Sequence, residues 1–110
     1  MDEQEFRRHA DQALDSLKRS LMRAEESSEI EVEENAGALK VNFEDPPGTF
    51  VISPNAPVKQ IWISALSTSF KLDWSEAASD FVLVKTGENM KALMTRLINQ
   101  QLGEEAVTLS

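Results

Sequence analysis

The sequence predicts an α+β fold, a two-layer sandwich with two helices packed on one face of an antiparallel sheet of about six short strands. Three observations carry that reading. Apolar residues recur at helical spacing near both ends of the chain. Between them, short runs alternate apolar and polar residues. Turn signals separate those runs at close intervals. Consecutive strands joined by tight turns make an antiparallel sheet, and helices with one apolar face each must bury it against that sheet. At 110 residues the chain corresponds to one domain, residues 1–110.

Residues 3–24 form the first helix, because Phe6, Ala10, Ala13, Leu14, Leu17, Leu21 and Ala24 repeat at three and four. Glu25-Glu26-Ser27-Ser28 ends that pattern. EIEVEE then alternates, with Ile30 and Val32 inward and Glu29, Glu31 and Glu33 outward. Asn35-Ala36-Gly37 turns the chain into a second strand with Leu39, Val41 and Phe43 inward, and Asp45-Pro46-Pro47-Gly48 turns it again. Further strands are expected at 49–53, 59–64, 69–74 and 80–84. Met90, Leu93, Met94, Leu97, Ile98 and Gln101 mark the second helix, with Thr86 placed to cap its start and Gly103 its end. Val107 and Leu109, in a tail too short for structure of its own, are placed to pack between the helices.

Composition narrows the chemistry. The absence of cysteine excludes disulfides, thiolate metal sites and a Cys nucleophile, and a single histidine disfavours His-rich zinc sites and most histidine-based acid–base schemes. An enzyme acting alone is therefore not expected. No apolar run reaches the roughly 18 residues of a membrane span. The charged opening MDEQEFRRHADQ leads us to expect no secretory or transit peptide, and a cytoplasmic setting without a membrane partner. The net charge of −8 is concentrated in residues 1–45, which hold 13 acids against 6 bases. That sign disfavours nucleic acid and favours cations or a basic protein surface, beside the plainer role of keeping the domain soluble.

PVKQIW poses a specific question. In a strand, Gln60, Trp62 and Ser64 share one face and Ile61 and Ile63 the other. The isoleucines make the inward pair, which turns a large aromatic and an amide toward water. Gln60 and Trp62 are accordingly candidate partner-binding residues, since tryptophan is enriched at interface hot spots. His9 falls near the apolar stripe of the first helix and Trp74 ends a strand; packing accounts for both.

The same residues resemble the frataxin family across nearly the whole chain. PVKQIWIS is similar to the family's P-x-(K/H)-Q-(I/V)-W segment, and Phe70-Lys71-Leu72-Asp73-Trp74 to its aromatic-x-x-Asp-aromatic strand. EFRRHADQALDSL resembles its first helix and EIEVEENAGALKVNF its first hairpin, and Gly87-Glu88 opens a helix where the family does. The resemblance implies the same helix–sheet–helix sandwich. It also implies a small protein that binds iron (Fe²⁺ or Fe³⁺) weakly and docks on the cysteine desulfurase and scaffold complex that builds iron–sulfur clusters. Iron would be held by an acidic ridge of Asp11, Asp15, Glu25, Glu26, Glu29, Glu31 and Glu33.

The chain departs from the family where Lys18, Arg19, Met22 and Arg23 occupy helix positions that are acidic in bacterial members. Val58 stands where eukaryotic members carry Asn, and Ala65-Leu66-Ser67-Thr68-Ser69 replaces a Gly-rich turn. Carboxylates suit hard cations, but Glu29, Glu31 and Glu33 lie about 7 Å apart along a strand face, too far apart for one mononuclear shell. A solvated face that discourages edge pairing, and ion pairing of Asp15 by Lys18 or Arg19, are the structural alternatives. The functional alternative is an acidic adaptor of the same fold without a metal role.

Overall fold

Two helices lie on one face of a seven-stranded antiparallel sheet and share a single core with it. The computed structural model describes residues 1–110. Helix α1 spans Glu3–Glu25. Asp2 caps it by accepting the Glu5 N–H at 2.8 Å, and Glu3 and Glu5 complement the positive end of the helix dipole. Phe6, Ala10, Leu14, Leu17 and Leu21 are buried along one stripe.

The strands are β1 (Glu31–Asn35), β2 (Ala38–Glu44), β3 (Pro47–Asn55), β4 (Gln60–Ala65), β5 (Thr68–Ser75), β6 (Asp80–Leu83) and β7 (Glu88–Asn89). Their order in the sheet is their order in the chain. Strands β2 to β6 alternate, so Leu39, Val41, Phe43, Phe50, Ile52, Ile61, Ile63, Leu72 and Phe81 enter the core. Trp74 lies between His9, stacked on it at 3.9 Å, and Phe81 at 5.2 Å. Both rings are packing groups. Two hairpins use two-residue turns with positive φ at both positions, Ala36-Gly37 (53° and 83°) and Leu66-Ser67 (53° and 60°). That geometry matches the strand twist but suits Asn and Gly best. One register is uneven. β5 pairs with β4 over Thr68–Asp73, but with β6 only over Asp73–Ser75.

Helix α2 spans Met90–Leu102 and buries Met90, Leu93, Met94, Leu97 and Ile98. Gly103 ends it at φ 73°, the left-handed C-cap that glycine adopts without strain. Its start differs from expectation. Asn89 is the cap, accepting the Ala92 N–H at 2.8 Å, so the helix opens at Met90 and not at Gly87-Glu88. Thr86 instead braces the preceding turn, where its hydroxyl donates to Glu88 Oε1 at 2.8 Å and accepts from the Glu88 N–H at 3.2 Å. Glu88-Asn89 thereby becomes the seventh strand, one more than the expected six.

The tail packs between the helices. Asn99 accepts from the N–H groups of Ala106 and Val107 and donates to the Val107 carbonyl, each at 2.9 Å. Thr95 accepts from the Leu109 N–H at 3.0 Å, while the Ser20 hydroxyl both donates to and accepts from the Ser110 backbone. Val107 and Leu109 are buried there. No helix is long and apolar enough to cross a membrane.

Candidate functional site

The sheet face away from the helices carries the first candidate site. β4 begins after a one-turn 3-10 helix, Ala56–Val58, and Lys59 in the left-handed region. From Gln60 onward the period of two applies, with Ile61 and Ile63 fully buried and Trp62 37% exposed. Gln60 and Trp62 therefore lie on the open face, as expected. The register places Asp73 opposite Gln60, and Lys71 opposite Trp62. Gln60 donates to Asp73 Oδ1 at 3.0 Å and accepts from the indole N–H of Trp62 at 2.9 Å. The Lys71 ammonium lies 5.0 Å from the centroid of the Trp62 ring, within cation–π range.

Four residues thus form one chain, Asp73–Gln60–Trp62–Lys71. Both ends of the Gln60 amide are committed, so the indole is held in one orientation although it is exposed. A preset aromatic loses little conformational freedom on contact with a partner. The arrangement presents a fixed aromatic flanked by an amide and two charges of opposite sign, a pattern suited to recognition. Lys71 and Asp73 are absent from the sequence-based set. Alternation in SFKLDW, with Leu72 buried, was the available signal, but their partners emerge only from the β4–β5 register.

The acids form the second candidate site, and the structure sorts them. Asp11 is exposed and in no ion pair, whereas Asp15 pairs with Arg19 at 3.0 Å. Lys18 reaches across to β1 and pairs with Glu34 at 3.1 Å. Glu25 accepts the Val32 N–H at 2.7 Å, tying the end of α1 to the edge strand. Glu26 is exposed beyond the helix. Glu33 accepts from the Asn42 amide at 2.6 Å, and Asn42 in turn accepts from Thr49 at 3.0 Å. Glu29 and Glu31 face a shallow hollow shared with Asn42 and Glu44. Glu44 joins the ridge as an addition that spacing alone does not reveal, because β2 returns beside β1 and brings it back.

No three of these side chains, nor any three Asp, Glu, His or Cys residues in the chain, converge as ligands of one ion. The donor set fits a hydrated cation held loosely by outward carboxylates, not a resident metal in a closed shell. The perturbed acid lies elsewhere. Arg96 bonds Glu88 in a fork at 2.8 and 2.9 Å. The guanidinium holds the Glu88 carboxyl below its ordinary value, against partial burial, and Arg96 is raised in return.

A family model described as a frataxin-like domain matches residues 1–104. The chain is similar to a protein named iron-sulfur cluster assembly protein CyaY from Azotobacter vinelandii, 31% identical over 94 residues and 84% of each chain. One of the same name from Pseudomonas aeruginosa is 32% identical over 94 residues, covering 84% of this chain and 86% of that one. Among solved structures, frataxin from Psychromonas ingrahamii superposes with a TM-score of 0.80 at 22% identity over 100% of this chain and 97% of that one, a likeness of fold. Yeast frataxin superposes with a TM-score of 0.70 at 25% identity, over 91% and 82% of the two chains.

Proposed function

The chain belongs to the frataxin-like family, and on that premise we propose that it is an accessory protein of iron–sulfur cluster assembly. It docks on a cysteine desulfurase–scaffold complex and carries iron as weakly held, exchangeable cargo. The observation that carries this reading is the Asp73–Gln60–Trp62–Lys71 chain, which presets an exposed indole on the open sheet face. The sheet face meets the scaffold. The acidic side formed by the end of α1 and by β1 meets a basic surface of the desulfurase, which speeds encounter and sets orientation. The protein supplies no catalytic group of its own.

The test is binding of the purified chain to a reconstituted desulfurase–scaffold complex. Trp62→Ala should weaken binding by about 2 kcal/mol or more, as for a hot-spot aromatic. Undiminished binding of that variant would remove the sheet face from the interface.

A second reading, an acidic adaptor without a metal role, is favoured by the dispersal of the carboxylates and by the pairing of Asp15 with Arg19. Anaerobic Fe²⁺ separates the two. A cation that binds the native state raises the melting temperature by mass action, and an adaptor melts unchanged. Amide shifts on titration should centre on residues 25–34, where the exposed acids of β1 lie, and not on residues 18–23.

A further inference from the structure

One internal edge of the sheet has no neighbour. β6 ends at Leu83, whose carbonyl accepts the N–H groups of Thr86 and Gly87 at 3.1 and 2.7 Å, and the chain turns away. Thr68–Lys71 of β5 therefore border no strand on that side, because the β5–β6 register covers only Asp73–Ser75. No backbone hydrogen bond from a loop reaches these four residues either. A strand directs its N–H and C=O groups alternately to its two sides, so this stretch offers both donors and acceptors to the gap.

The gap is an open hollow with Thr68–Lys71 along one wall and Leu83, Lys85 and Thr86 along the other, and Arg96 also lines it. Phe70 and Leu83 are half-buried and continuous with the core. No carboxylate lines the hollow. Lys71 and Lys85 form no ion pair, whereas Arg96 is neutralised by Glu88. In a chain of net charge −8, this is a locally cationic place.

We propose that the gap receives a short extended acidic segment of a partner protein, added as a strand to the free edge of β5. Both observations are needed for that choice. The unpaired edge calls for a peptide backbone, which alone offers donors and acceptors at strand spacing, and the lysines call for carboxylates. Four residues of β5 span about 13 Å. The pleat fixes the pattern, since a residue opposite Lys71 lies on the open face and one opposite Phe70 faces the core side. The segment thus alternates acidic and apolar side chains.

The experiment titrates the isotopically labelled full chain with an end-blocked Glu-Val-Glu-Val-Glu-Val peptide. Amide shifts and slowed exchange should concentrate in Thr68–Lys71 and Val84–Thr86. The same peptide N-methylated at alternate residues should bind about tenfold more weakly, having lost two backbone bonds. Lys85→Glu, in an exposed turn, should weaken binding about fivefold with an unchanged melting temperature. Equal binding of the methylated peptide, shifts centred on another surface, or no binding at about 1 mM peptide would overturn the proposal. So would peptide-independent dimerisation through the same residues, since the chain's own EIEVEE has the required alternation.

Discussion

Ile61 and Trp62 adjoin in β4 and occupy opposite environments, one fully buried and one 37% exposed. Ile61→Ala should cost about 2–5 kcal/mol by opening a cavity, and Trp62→Ala about 1 kcal/mol, the scale of a surface contact. Urea melts of both variants check the pair, and the reverse order would invert the register. Ser67 offers a stabilising change. It sits at φ 60° in the Leu66-Ser67 turn, where a side chain strains the backbone by about 1 kcal/mol. Ser67→Gly should recover most of that, offset by the greater freedom of glycine in the unfolded chain, and raise the denaturant midpoint. The facing of Ile61 and Trp62 was legible in PVKQIW because the period of two depends on local order alone. The partners of Gln60 and Trp62 were not, since Asp73 and Lys71 meet them only through the register. Lys18 shows the same limit. Helical spacing offered Asp15 as its partner, yet it bonds Glu34, which is brought beside it by the docking of α1 on β1.

Among elements, the junction of β7 and α2 is held by one forked ion pair. Glu88 is held below its ordinary value of 4.5 by Arg96, so its contribution is complete above that value and is lost as pH falls through the lowered one. Arg96 is 47% exposed, which leaves the pair screened and worth about 0.5–1 kcal/mol. Urea melts of Glu88→Gln should show that deficit at neutral pH and a shrinking one in acid. The tail depends on Asn99, whose three hydrogen bonds turn a short unstructured segment into part of the core. Asn99→Ala should cost about 2 kcal/mol and loosen Ala106 and Val107, which amide exchange would register, while Thr95 and Ser20 still hold Leu109 and Ser110. Both helices and six strands could be read from periodicity, and Gly103 from its position after the last apolar residue. β7 could not, because two residues show no period. Asn89 rather than Thr86 became the cap because Thr86 is engaged within the β6–β7 turn.

At the scale of the whole molecule, the five acids of α1 are matched by five bases, so the negative charge of the first 45 residues gathers on and around β1, from Glu25 to Glu34 and at Glu44, while Lys71 and Lys85 lie toward the far side of the sheet. Such asymmetry orients the chain as it meets a charged partner, and association should slow as salt is added. The strand order has a different consequence, one of time. Since each strand pairs with its sequence neighbour, the sheet is assembled from successive hairpins with short loop closures, whereas Ser20 and Ser110 meet across 90 residues. Local pairings form early and the joining of the chain's two ends comes late. A kinetic division follows between the hairpins and that seam. In stopped-flow measurements, Ser20→Ala should hasten unfolding and leave refolding nearly untouched, while Ile52→Val, inside the β2–β3–β4 meander, should slow refolding.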